Sequence, residues 1–291
     1  MSSADLTQAR DVERGGFAWR ERGDGPLVIL LHGLGGSRVS WEPQLVGLGD
    51  RWHVAAWDMP GYGAAPPLPA ERLTFRALAD AAAEWIDALA TANGHDDGRA
   101  HVVGISMGGM IAQYLAAWHP NSVRSLTLMS TSPRFGLNGT LPDVWRAARL
   151  APLDRGEAPA DFAERVLAGL GGAHIGPEAF AGQVAAMSRI SAVALRRSID
   201  CLVTHDARAL LPTVTAPVLV LGGEFDSETP PEYSHAIAEL LPKARTVIVP
   251  HAGHLLNVEA PAQVNRLIAD HLAACERDEA TSGRLPSMET R

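Results

Sequence analysis

The chain is poor in the residues that mark several protein classes. Its 291 residues include two cysteines, Cys201 and Cys275, whose spacing forms neither a metal motif nor a disulfide framework. Two reduced thiols are the expectation, with one disulfide between them as the alternative. Lys243 is the only lysine, so no motif below has a neighbouring lysine for a Schiff base or a phosphate contact. No block of consecutive basic residues offsets the formal net charge of −8. Such a chain repels phosphate backbones and anionic bilayers, and neither nucleic acid nor a membrane is expected as a partner. The longest strongly apolar run, Leu27–Leu31, is far too short to span a bilayer. Met1 to Gly16 is polar and mixed in charge, unlike a signal peptide. A soluble, cytoplasmic protein is expected.

What is present is an alternation of short apolar runs with longer helical patterns. The runs Leu27–Leu31, His53–Trp57, His101–Ile105, Leu126–Met129, Val218–Leu221 and Thr246–Val249 read as strands buried on both faces. Phe17–Arg20 adds an antiparallel edge strand. Phe75–Leu89, Met107–Trp118, Pro231–Leu241 and Pro261–Ala273 carry apolar residues at helical spacing. The pattern predicts an α/β fold, a mostly parallel sheet with helices on both faces. Between Pro133 and Pro212 no strand is legible, only helix-like stretches broken by Gly and Pro. About eighty residues is too long for an ordinary crossover. We therefore divide the chain into a core over 1–132 and 213–275, a helical cap over 133–212, and a polar tail over 276–291 that is expected to be disordered.

Chemistry concentrates where strands end. Gly104-Ile105-Ser106-Met107-Gly108 is a G-x-S-x-G placed between a strand and a helix, the setting of a nucleophile elbow. Small neighbours let the chain turn sharply and expose the Ser106 hydroxyl at a helix N-terminus. The competing reading is a glycine-rich turn of a nucleotide-binding protein, but no G-K-[ST] or G-x-G-x-x-G accompanies it. His32-Gly33-Leu34-Gly35-Gly36 ends the first buried run. Its Leu34 N–H, with that of Met107, is the expected oxyanion hole, and His32 is expected to orient the loop through hydrogen bonds.

A serine nucleophile needs a base, and the base needs a carboxylate. Gly253-His254 follows the last strand, and His254 is preferred over His251 in the same loop. Asp226, in the loop after Val218–Leu221, is the expected acid, with Glu224 and Glu228 as capping or surface charges. The alternative acid position after the preceding strand reads Met129-Ser130-Thr131-Ser132 and holds no carboxylate.

With these motifs in order, the sequence resembles the α/β-hydrolase superfamily from about Gly25 to Ala273. Asp58-Met59-Pro60-Gly61-Tyr62-Gly63, similar to the family's D-x-x-G-x-G turn, and the closing Glu259 and Pro261 extend the match. Among subfamilies the chain most resembles 3-oxoadipate enol-lactonase-like hydrolases, and it is similar to capped hydrolases of aromatic meta-cleavage products. A serine rather than an aspartate at the elbow sets it apart from haloalkane dehalogenases and epoxide hydrolases.

The resemblance implies a carboxylesterase or lactonase working through an acyl-enzyme on a small ester or lactone, with no metal and no cofactor. Two other readings keep the fold: cleavage of a carbon–carbon bond (or another cofactor-free lyase reaction), and a ligand-binding receptor. In the cap, Trp145 and Met187 are candidates to line an apolar pocket, with core packing as the competing role. Arg134 and Arg189 are candidates to pair with a substrate carboxylate, as an enol-lactone acid requires. Either a monomer or a homodimer is compatible with the sequence.

Overall fold

The computed structural model describes residues 8–69, 72–94, 97–170 and 175–282. Eight strands are found there: β1 Arg10–Arg14, β2 Phe17–Arg22, β3 Leu27–Leu31, β4 His53–Trp57, β5 Ala100–Ile105, β6 Val123–Met129, β7 Val218–Gly223 and β8 Ala244–Val249. They form one sheet in the order β1-β2-β4-β3-β5-β6-β7-β8. β1, β2 and β4 pair antiparallel, and every pairing from β4 through β3 to β8 is parallel. β1 was not legible in the sequence. Its residues RDVER are charged and largely exposed, which suits an edge strand and carries no apolar alternation to read.

The helices among the described residues are α1 Glu42–Leu48, α2 Phe75–Asn93, α3 Met107–Trp118, α4 Pro142–Asp154, α5 Pro159–Leu170, α6 Pro177–Ser188, α7 Ala192–Leu202, α8 Pro231–Leu240, α9 Leu256–Glu259 and α10 Pro261–Ser282. None is long and apolar enough to cross a membrane. Side chains alternate across the strands, so β3 sends Leu27, Ile29 and Leu31 to one apolar layer and Val28 and Leu30 to the other. The first layer holds residues of α2, α3 and α8 and continues into α4, α5 and α7. The second holds residues of α1, α9 and α10.

Helices α4–α7 occupy the interval between β6 and β7 that the sequence marks as a cap. Its two ends are pinned together: Arg134 and Asp206 form an antiparallel bridge, Phe135 N–H donates to the His205 carbonyl, and Ala207 N–H to that of Pro133. At the C-terminus, α10 carries the chain seven residues past Cys275, to Ser282. The expectation of disorder is therefore corrected for Glu276–Ser282. Glu276 accepts from Trp52 Nε1 at 2.6 Å and pairs with Arg51 at 3.0 Å, tertiary bonds that periodicity does not record. The remainder of the predicted tail, 283–291, lies outside the described residues.

Strand order reverses at β3, which lies between β4 and β5. The loops leaving the C-terminal ends of β3 and β5 diverge there, opening a crevice at a topological switch point.

Candidate active site

Ser106 connects β5 to α3 with φ 53° and ψ −122°, a region a non-glycine residue enters only when its surroundings hold it there. Three bonds do so: Ser106 N–H donates to the Met129 carbonyl at 2.9 Å, and the Ser106 carbonyl accepts from Met110 N–H and from Thr131 Oγ1 at 2.8 Å. Glycine is needed beside it. A Cβ on Gly33 would sit 2.9 Å from the Ser106 Cβ, and one on Gly108 would collide with the Leu31 backbone.

The structure brings Ser106, His254 and Asp226 together from three strand ends. Nε2 of His254 lies 3.1 Å from Ser106 Oγ, and its Nδ1 lies 3.0 Å from each Asp226 oxygen. With Nδ1–H donating to the carboxylate, Nε2 is left to accept the serine proton. Asp226 is buried and also accepts from Glu228 N–H at 3.0 Å, Thr229 N–H at 2.8 Å and Thr229 Oγ1 at 2.8 Å. Burial alone would raise its pKa, but the charge and hydrogen bond of His254, with the Thr229 donors, outweigh that and hold it below the ordinary value. Burial pulls His254 down, and the Asp226 charge and hydrogen bond, followed by the charges of Glu228 and Glu259, move it above the ordinary histidine value. His251, the rival histidine, has a mostly exposed side chain beside Glu224, away from Ser106.

Met107 is the first residue of α3, where a helix leaves its N–H groups without intrahelical acceptors. Leu34 lines the same cavity, and its N–H finds no acceptor among the described residues. His32 Nδ1 lies 2.9 Å from the Gly33 carbonyl, while Nε2 accepts from Met59 N–H at 3.0 Å. Burial lowers its pKa, and the two bonds require a neutral ring with its proton on Nδ1. It therefore braces the Leu34 loop against the turn that begins at Asp58.

A cavity of about 600 Å³ lies over Ser106 and His254 and is walled by the cap. Trp145 and Met187 both line it, and so does Arg134. Arg189 does not. It caps the C-terminus of α6 and is exposed to solvent, so its guanidinium is not brought to the site. The sequence reading also missed residues the structure places there: Arg149 and Arg165 from the cap, and Tyr233 from α8. Thr229 and Thr131, which hold Asp226 and the Ser106 backbone, carried no signal beyond being hydroxyl residues near motifs. No group of three or more His, Cys, Asp or Glu among the described residues is arranged to hold a metal ion.

The family described as the alpha/beta hydrolase fold matches residues 26–261. This chain belongs to that family. Among its relatives, the hydrolase is 34% identical over 256 residues to a pimeloyl-[acyl-carrier protein] methyl ester esterase of Chromobacterium violaceum, a match covering 86% of this chain and 95% of the relative. Among solved structures, a thermophilic esterase from Thermogutta terrifontis superposes with a TM-score of 0.75 at 27% identity, covering 92% of this hydrolase and 99% of the esterase. The enol-lactonase from Burkholderia xenovorans LB400 shares the fold with a TM-score of 0.77 at 24% identity, covering 91% and 100% of the two chains.

Proposed function

We propose that this α/β-hydrolase is a serine esterase that cleaves a small carboxylic ester or lactone through an acyl-enzyme. The observation that carries the reading is the continuous chain Ser106 Oγ, His254, Asp226, with 3.1 and 3.0 Å links, at the floor of the cavity. The methyl ester esterase relative favours an ester over a carbon–carbon bond as the target.

His254 Nε2 takes the proton from Ser106 Oγ as the oxygen adds to the substrate carbonyl. The negative charge that develops on the carbonyl oxygen meets the N–H groups of Leu34 and Met107. His254 then passes its proton to the departing alkoxide, leaving an ester on Ser106. Water enters, gives a proton to His254, and its oxygen displaces Ser106, which recovers that proton. Asp226 stays ionised and holds the imidazole in the tautomer this sequence requires.

Arg134 refines the substrate. Three arginines line the cavity. Arg149 is paired with Glu228 at 2.7 Å and Arg165 with Glu157 at 3.4 Å. Arg134 has no carboxylate partner among the described residues, and its backbone is pinned by the bridge to Asp206. A guanidinium with no carboxylate partner among the described residues, in a cavity lined by both apolar and polar groups, fits an acyl half that carries its own carboxylate. The test compares purified protein, Ser106→Ala and Arg134→Met on p-nitrophenyl esters of graded length, lactones, and half-esters of dicarboxylic acids. Turnover lost in Ser106→Ala supports the esterase reading. No turnover by the intact protein on any of them overturns it. Arg134→Met is expected to cost about tenfold to hundredfold on half-esters and little on neutral esters.

A further inference from the structure

Tyr233 uses only one side of its hydroxyl. The residue lies near the start of α8, is 6% exposed and lines the cavity. Its oxygen accepts from Asn138 N–H at 2.9 Å. A phenol also has a proton to donate, and no acceptor for it is found among the described residues. Burial raises its pKa above the ordinary tyrosine value, against the lowering by Asn138 N–H and the Arg134 charge. The hydroxyl therefore keeps its proton through the neutral range and stays a donor.

Arg134 is in the same condition. Its backbone is engaged, with its N–H on Ser132 Oγ at 3.2 Å and its carbonyl accepting from that hydroxyl. Its guanidinium has no hydrogen-bond partner among the described residues. The Arg134 charge acts on the Tyr233 hydroxyl, and both residues line the one cavity over Ser106. Two donors without acceptors thus share one part of it. Glu228 is the only carboxylate lining that cavity among the described residues, and Arg149 already engages it at 2.7 Å.

Local structure holds the pair. Between β6 and α4 the chain turns back at Gly136, with φ 63°, where a Cβ would lie 2.2 Å from the Thr140 carbonyl oxygen. Gly139 N–H donates to the Gly136 carbonyl at 3.0 Å, and Asn138 Oδ1 accepts from Thr140 N–H at 3.1 Å and Thr140 Oγ1 at 2.7 Å. This turn presents Asn138 N–H to Tyr233, while the bridge to Asp206 fixes Arg134 at the other end of the segment.

We propose that Tyr233 Oη–H and the Arg134 guanidinium together seat the distal carboxylate of the acyl group, so that the hydrolase selects half-esters of dicarboxylic acids. The proposal rests on the esterase reading and extends the role given there to Arg134. Arginine supplies the charge. Tyrosine supplies direction, because its single O–H fixes where one carboxylate oxygen sits. A fixed seat also sets the acyl length at which the ester carbonyl reaches Ser106. Hydrolysis then releases an alcohol and a free dicarboxylic acid.

The test compares monomethyl glutarate, adipate and suberate, each with its dimethyl ester. Binding is read by calorimetry on Ser106→Ala, which leaves the ester intact. At one of the three lengths the half-ester should bind about tenfold or more tightly than the diester. In that background Tyr233→Phe should reduce the preference about fivefold to tenfold, and Arg134→Met at least as much. Asn138 is exposed, so water replaces the lost acceptor in Tyr233→Phe. Adding Tyr233→Phe to Arg134→Met should reduce the preference little further, since the carboxylate has already lost its seat. No preference at any length, or equal loss of half-ester and diester binding in Tyr233→Phe, overturns the proposal. A preference that falls in Arg134→Met but not in Tyr233→Phe overturns the shared seat and leaves Arg134 alone as the contact. Absence of turnover in the intact protein sinks the esterase reading, and calorimetry on Ser106→Ala still judges the seat. If Tyr233→Phe does not fold, NMR of Ser106→Ala labelled at the tyrosine ζ-carbon decides. Of the three tyrosines Tyr233 alone lines the cavity, and its signal should shift with the half-ester and not with the diester. An unmoved signal overturns the proposal.

Discussion

The strand ends of the core and the helices of the cap contribute to the same cavity, but they are built differently. The core places Ser106, Asp226 and His254 beyond strands β5, β7 and β8, and β5 and β7 are buried along their whole length. Each of the three side chains has its partners inside the protein. The cap presents narrow apolar stripes: α4 buries only Leu150 and Leu153, and α6 only Gln183, Ala186 and Met187. Its surface is laced with exposed ion pairs such as Arg146–Asp200 and Arg196–Asp154, a kind that contributes little to stability. The core fixes the atoms proposed to react, and the cap covers them at modest cost in packing, which suits a segment proposed to select substrate.

The sharpest break of that contrast is Ser106→Ala, expected to lower kcat about a millionfold with the melting temperature nearly unchanged, measured by ester turnover and calorimetry. Asp226→Asn should follow with about a 10⁴-fold loss, because the tautomer of His254 is then no longer enforced. In the cap, Trp145→Ala should raise KM while kcat changes far less, the signature of lost uniform binding. A kcat loss as large as that of Asp226→Asn would erase the distinction between the two regions.

Stability provides the next comparison. Leu30→Ala, at a fully buried sheet position, should cost about 2–5 kcal/mol in urea unfolding. Val144→Ser on α4, where the side chain is 64% exposed, should stay within about 0.5 kcal/mol.

Acid sensitivity is the smallest and broadest effect. Burial pushes His205 and His271 down to about 4 from 6.5. The unfolded chain therefore takes up these protons first, and stability falls as pH drops from 6.5 towards 4. Burial raises Glu21, but bonds from His53, Trp19 and Arg10 bring it to about 2, and the His101 bond leads those that bring Glu276 to about 2. Their contribution is present above 4.5 and is lost as pH falls towards 2. The raised His254 has the opposite sign, stabilising below 6.5 and losing that contribution as pH rises through its folded value. The urea midpoint should thus decline from pH 7 to pH 4, and His205→Gln should reduce that slope by removing one of these buried groups.

How much was legible beforehand differs between the two regions in the same way. The candidate elbow, the Leu34 loop and the proposed order Ser106, Asp226, His254 could be picked out in the chain because each is a short run with strict local demands. A sharp strand-to-helix turn needs small neighbours, and a site at strand ends follows the last apolar residue. The cap was readable as an insertion of helices, but not which of its arginines faces inward. Arg134 and Arg189 look alike in the chain, and one lines the cavity while the other is exposed at the end of α6. The extension of α10 to Ser282 was hidden because its polar last turns are held by bonds to Arg51 and Trp52, far away in sequence.

By itself the sequence determined the α/β alternation and marked the candidate nucleophile turn, base and acid, since those rest on backbone geometry that neighbouring residues impose. Only the tertiary structure decided that Thr229 steadies Asp226, that Arg149 reaches Glu228 and that Arg134 lines the cavity with no carboxylate partner among the described residues. Those outcomes depend on where long side chains end after distant segments have packed, and residue spacing along the chain carries no record of it.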